Sequence, residues 1–87
     1  MTKEQLEVIV GLVAGVETAI VTLAKGLEAQ GVIRDSQSLV TLFEDQAAAL
    51  PNDVRNKELI ALVLKHVATG LRGEGHDPGP EIARQLH

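Results

Sequence analysis

Apolar residues crowd the first thirty positions so densely that they announce a helix more clearly than they announce which side of it faces inward. On a 3.6-residue period, Lys3 to Gln30 carries a bulky stripe of Ile9, Leu12, Val13, Val16, Ile20, Leu23 and Leu27. Beside it runs a stripe of smaller groups, Val8, Gly11, Gly15, Ala19, Thr22 and Gly26. The remaining arc, expected to face outward, holds Glu7, Glu17, Thr18, Lys25 and Glu28, shared with Val10, Ala14 and Val21. Thr2 and Gln5 have the spacing of a capping box, and Gly31 is placed to close the helix in a left-handed turn that folds Val32 and Ile33 back on its end.

Two shorter helices are predicted next. Asp35 or Ser36 can cap the second, whose apolar face is Leu39, Val40, Leu42, Phe43, Ala47 and Leu50; Pro51 stops it. A third starts between Asp53 and Lys57, with Leu59, Ile60, Val63, Leu64, Val67 and Leu71 inward, and ends near Gly70 or Gly73. From Gly73 to Pro80 there is no period, which reads as a linker. Pro80 can open a last turn that docks through Ile82 and Leu86. The chain therefore reads as all-α: a small helical bundle of one long N-terminal helix and two shorter ones over residues 1–73, with a flexible tail over 74–87 bearing a short docking helix.

The long helix implies a partner. Glycine costs roughly 1 kcal/mol against alanine inside a helix, so three on one stripe suggest a close contact with another helix. Two short partners cannot cover a helix of about 42 Å that is apolar nearly all round. Completion by homodimerisation follows, with Val8, Gly11, Gly15, Ala19, Thr22 and Gly26 as the self-association surface and Gln46 and His66 as polar groups that could join an interface. The rival is a membrane span over Val8–Ala24. That segment is shorter than the usual ~20 residues and has Glu17 at its centre, where an acid costs a few kcal/mol, so it is the weaker reading.

Composition narrows the chemistry. Phe43 is the sole aromatic residue and cysteine is absent, which removes disulfides, thiol catalysis and Cys-ligated zinc. The net charge of −4 and the scatter of the eight bases disfavour nucleic acid; Arg55, Lys57, Lys65 and Arg72 are the only candidate phosphate contacts for an alternative regulator of that kind. The acidic start, Glu4 and Glu7, is unlike a secretory leader.

No catalytic constellation emerges. Ser36 and Ser38 are explained by capping, and adjacent Glu44 and Asp45 diverge. Gly70-x-x-Gly73-x-Gly75 ends a helix where a phosphate loop would begin one. His66 reads as a histidine satisfied at the edge of an apolar face, while His76, Asp77 and His87 sit in tail sequence without metal-ligand spacing. The sequence thus predicts a cytoplasmic, non-catalytic protein-interaction module, without metal or cofactor, whose partners are a second copy and another macromolecule.

Overall fold

The computed structural model describes residues 1–73 and 78–86. They form four helices and no strand: α1 (Lys3–Ala29), α2 (Ser38–Ala48), α3 (Lys57–Leu71) and α4 (Gly79–Leu86). The all-α architecture with a long first helix is as the periodicity predicts. Of the segment Gly73–Pro80 expected as a linker, 74–77, which include His76 and Asp77, lie outside the described residues, as does His87, while Gly79 and Pro80 already belong to α4.

Local signals set the helix ends. The Thr2 hydroxyl accepts from the Gln5 N–H at 3.1 Å, and the Gln5 side chain accepts from the Thr2 N–H at 3.0 Å, a complete capping box. At the other end Gly31 takes φ +75°, and the Val32 N–H reaches back to the Leu27 carbonyl at 2.9 Å. Val32 itself stays exposed, and it is Ile33 that tucks in. The second helix begins two to three residues later than its candidate caps, because Asp35 and Ser36 are spent on a preceding turn in which the Asp35 carboxylate accepts from the Gln37 N–H. Asn56 sits before α3 with φ 59°, a left-handed conformation that asparagine tolerates. Gly73, at φ +81°, follows the α3 C-cap.

The core is small and aliphatic. Ala24, Val40, Val67, Ala68 and Leu71 are buried together, with Ile20, Val21, Leu39 and Phe43 packed around them. Helix α3 is the hub, packing on each of the other three. Its last carbonyl, that of Leu71, accepts both the Lys25 ammonium of α1 at 3.0 Å and the Gln37 amide before α2. A cation there also complements the negative end of the α3 dipole. The Arg72–Glu44 ion pair adds a second tie between α2 and α3, but at the surface, where such pairs contribute little.

Helix α4 lies across α1 and α3, and Ile82 is fully buried beneath it. The short docking helix expected from Pro80 is thus one residue longer at its start and seats an interior side chain. In the loop after α1, the Ser36 N–H donates to the Glu28 carboxylate and holds that carboxyl below the usual glutamate range.

Candidate functional site: a carboxylate–imidazole–carboxylate cluster and a bare helix face

Helix α1 is rotated from the orientation its bulky stripe suggests, so that Ile9, Val13, Ile20 and Leu27 of that stripe are half-buried while the rest of it faces out. Leu12, Val16 and Leu23 of that stripe are 66%, 57% and 64% exposed. Glu17 and Ala24 are the fully buried positions, with Val10, Ala14 and Val21 half-buried beside them. The arc expected to be outermost is therefore the inner one, a rotation of roughly one residue, or about 100°. An almost uniformly apolar helix supplies no amphipathic preference strong enough to fix its own orientation, so specific contacts decide it.

Two contacts do so. At Gly70 of α3 a Cβ would come within 2.7 Å of Val21 Cγ2, so the α3 backbone packs directly on the Val21 side chain at a point only glycine fits. The close approach within the subunit is made here and not on the small-residue stripe: at Gly11, Gly15 and Gly26 a Cβ would meet nothing within 4 Å. The second contact is polar. Glu17, 3% exposed, points its Oε2 at His66 Nδ1 across 2.9 Å. The other ring nitrogen, Nε2, faces Glu81 Oε2 at 3.2 Å.

His66 thus lies in the interior of its own chain, 7% exposed, rather than on a surface available to a second copy. Gln46, the other candidate interface polar group, is exposed on α2. Each member of the cluster comes from a different helix. Glu17 is central on the inner face of α1, His66 precedes the buried run Val67–Ala68 on α3, and Glu81 is in the first turn of α4, where a helix dipole favours an acid. Burying ionisable groups costs several kcal/mol each unless they are paired, and removing one partner is correspondingly expensive. The cluster is therefore a strong selector of how α1, α3 and α4 meet. Chemically it can hold and exchange a proton. Among the described residues no group of three or more His, Asp or Glu side chains is arranged to hold a metal ion.

The outer side of α1 is the second feature. Between Glu7 and Lys25 its exposed positions carry no charge, and Val8, Leu12, Val16 and Leu23 are each more than half exposed. The polar residues there, Thr18 and Thr22, turn their hydroxyls onto the carbonyls of Ala14 and Thr18 at 2.9 and 2.8 Å. Their hydrogen-bonding demand is met without solvent. The small-residue stripe, Val8, Gly11, Gly15, Ala19, Thr22 and Gly26, lies along this same side. By length and composition α1 could also cross a membrane, and only a small part of its apolar stretch is covered by the rest of the chain.

The Glu17–His66 pairing escaped the sequence reading, yet a signal for it existed. Glu17 is the single charged residue in seventeen, Val8 to Ala24, and a lone acid in an apolar helix calls for a partner. Comparison with protein-family models, curated proteins and solved structures found no match to this chain.

Proposed function

We propose that this chain is a non-catalytic, cytoplasmic helical interaction module that acts as a homodimer and, in that form, serves as an adaptor, regulator or inhibitor of another macromolecule. The observation that carries this reading is the uncharged outer face of α1, where Val8, Leu12, Val16 and Leu23, each more than half exposed, extend over about 22 Å. Fully burying one such side chain contributes about 1.5–3 kcal/mol. Two copies bring eight of them, on the order of 10 kcal/mol or more, which is comparable with the ~4–15 kcal/mol that association costs. Burial of these side chains is thus large enough to offset association, and the rest of the contact must supply the ~8 kcal/mol net that a micromolar dimer needs. Glycines with open space above them let a facing helix come close.

Light scattering on the full chain without detergent tests this. The expected mass is at least twice the 9.3 kDa of one chain. Val16→Asp should shift the mass toward monomer with helical signal retained, since Val16 is 57% exposed in the subunit. A wild-type monomer at micromolar concentration defeats the proposal. The length and apolar character of α1 favour one rival, a membrane-associated protein, which predicts recovery in the membrane fraction and a requirement for detergent.

A further inference from the structure

The bare side of α1 has relief. Leu12, Val16 and Leu23 stand on it as a ridge, each more than half exposed. At about 100° per residue, Gly11, Gly15, Thr18 and Thr22 fall beside that ridge as a furrow, with Val8 and Ala19 between the two rows. At Gly11 and Gly15 a Cβ would meet nothing within 4 Å, so the furrow is open above its floor. The furrow side is also the side on which α4 lies. There it widens into a recess bounded by Val10, Gly11 and Ala14 of α1 and by Gly79, Pro80 and Ala83 of α4.

We propose that this recess is a socket for Leu12 of a second copy, and that the two α1 helices pair side by side in parallel. This geometry rests on the homodimer reading and specifies how its two faces meet. A two-fold axis running along the helices turns the ridge of each copy toward the furrow of the other. A two-fold axis across the helices makes them antiparallel and sets ridge against ridge and furrow against furrow. Both furrows are filled only in the parallel pair. Helical side chains lean toward the N-terminus of their own helix, so Leu12 of one copy reaches the level of Gly11 in the other.

Area favours the same arrangement. From Val8 to Gly26 the seam is about 27 Å long, and a helix is about 10–12 Å wide, so the strip measures on the order of 300 Å² per copy. A stable interface takes about 800 Å² per partner. The α1 strip alone therefore falls short, and the adjoining edge of α4 is the surface that extends it. A ridge seated in the recess touches that edge, whereas a furrow laid over it leaves the recess empty. No ionised side chain stands on the exposed side of α1 between Glu7 and Lys25, so no like charges oppose the parallel pair along the seam.

The chain has no cysteine, so single introduced cysteines report the pairing directly. Val8→Cys and Ala19→Cys, both at exposed positions on the seam, are made in the full chain, checked for helical signal and oxidised at micromolar concentration without detergent. A disulfide needs Cα atoms about 4.4–6.8 Å apart. In a parallel pair each seam residue faces its own counterpart, so both variants should form covalent dimers well above the collision background set by Asp45→Cys, exposed on α2. An antiparallel pair brings only one level of the helix beside itself, and these two levels lie about 16 Å apart. Gly11→Leu tests the socket, because its side chain enters open space in the subunit but takes the place of Leu12 from the other copy. Its dimer should dissociate about tenfold more readily, equivalent to about 1.4 kcal/mol, with helical signal unchanged.

Cross-linking at neither or only one of the two seam positions overturns the parallel pair while leaving the homodimer standing, and so does a joint between Val8→Cys and Leu23→Cys chains when these are mixed. Unchanged or tighter dimerisation of Gly11→Leu overturns the socket. A monomeric wild type removes the homodimer itself, and the socket with it.

Discussion

Replacing Gly70 by alanine sets two known effects against each other at one site. Alanine is favoured over glycine within a helix by roughly 1 kcal/mol, and Gly70 lies in the last turns of α3 with nothing unusual in its backbone. The new methyl, however, would stand 2.7 Å from Val21 Cγ2 and 3.5 Å from Cγ1. Valine in a helix has essentially one χ1 rotamer, so neither methyl can swing away cheaply. Forcing a methyl into a packed contact costs about 1–3 kcal/mol. The expected net result is a loss of up to about 2 kcal/mol, seen as a lower urea midpoint at unchanged m-value and fixed protein concentration.

The diagnostic is the change of sign in a second background. Val21→Ala removes both obstructing methyls, and in that background Gly70→Ala should become stabilising by up to about 1 kcal/mol. The coupling between the sites should therefore exceed about 1 kcal/mol, as expected for groups in direct contact. If Gly70→Ala raises the midpoint in the wild type, or shifts it equally in the two backgrounds, α1 and α3 do not meet as described, and the inward orientation of Glu17 loses its support from packing.

Two further outcomes follow from the same packing. Ile82→Ala empties a fully buried site under α4 and should cost about 2–4 kcal/mol in urea unfolding; a loss below about 0.5 kcal/mol would mean that α4 is not seated. The Glu28 carboxyl, held low by the Ser36 N–H, stabilises the fold above the ordinary glutamate range near 4.3, and that contribution disappears as pH falls through its lowered value. In a carboxyl NMR titration Glu28 should therefore have a midpoint below the ordinary value, and Glu28→Gln should lose less stability than wild type between pH 5 and 3; a midpoint at or above the ordinary value contradicts this.

What could be read in advance was whatever depends on neighbours in the chain. The Thr2–Gln5 capping box and the turn at Gly31 involve residues a few positions apart and are where local chemistry puts them, while α2 ends at Ala48, two residues before the Leu50–Pro51 stop expected for it. The inner face of α1 depends on residues far away. Glu17 meets His66 across 49 positions and Val21 meets Gly70 across a comparable gap, so no local period encodes either contact. Gly11, Gly15 and Gly26 drew attention as a regular stripe, whereas Gly70, irregular and near a helix end, is the glycine that lets two helices close together. Ala14, assigned by its spacing to the outer arc, instead lines the groove beside α4.

The Leu71 carbonyl, where Lys25 and Gln37 converge, has a consequence for inheritance. An acceptor in the main chain survives every side-chain substitution, so only its donors can be lost. A carbonyl oxygen carries two lone pairs but is satisfied by a single donor, which makes Lys25 and Gln37 spares for one another. Loss of either leaves the carbonyl with a donor from the protein; loss of both does not. Random mutation can therefore erode this junction silently at one position, after which the other matters more, and lineages that drift apart there would lose stability when their halves are recombined.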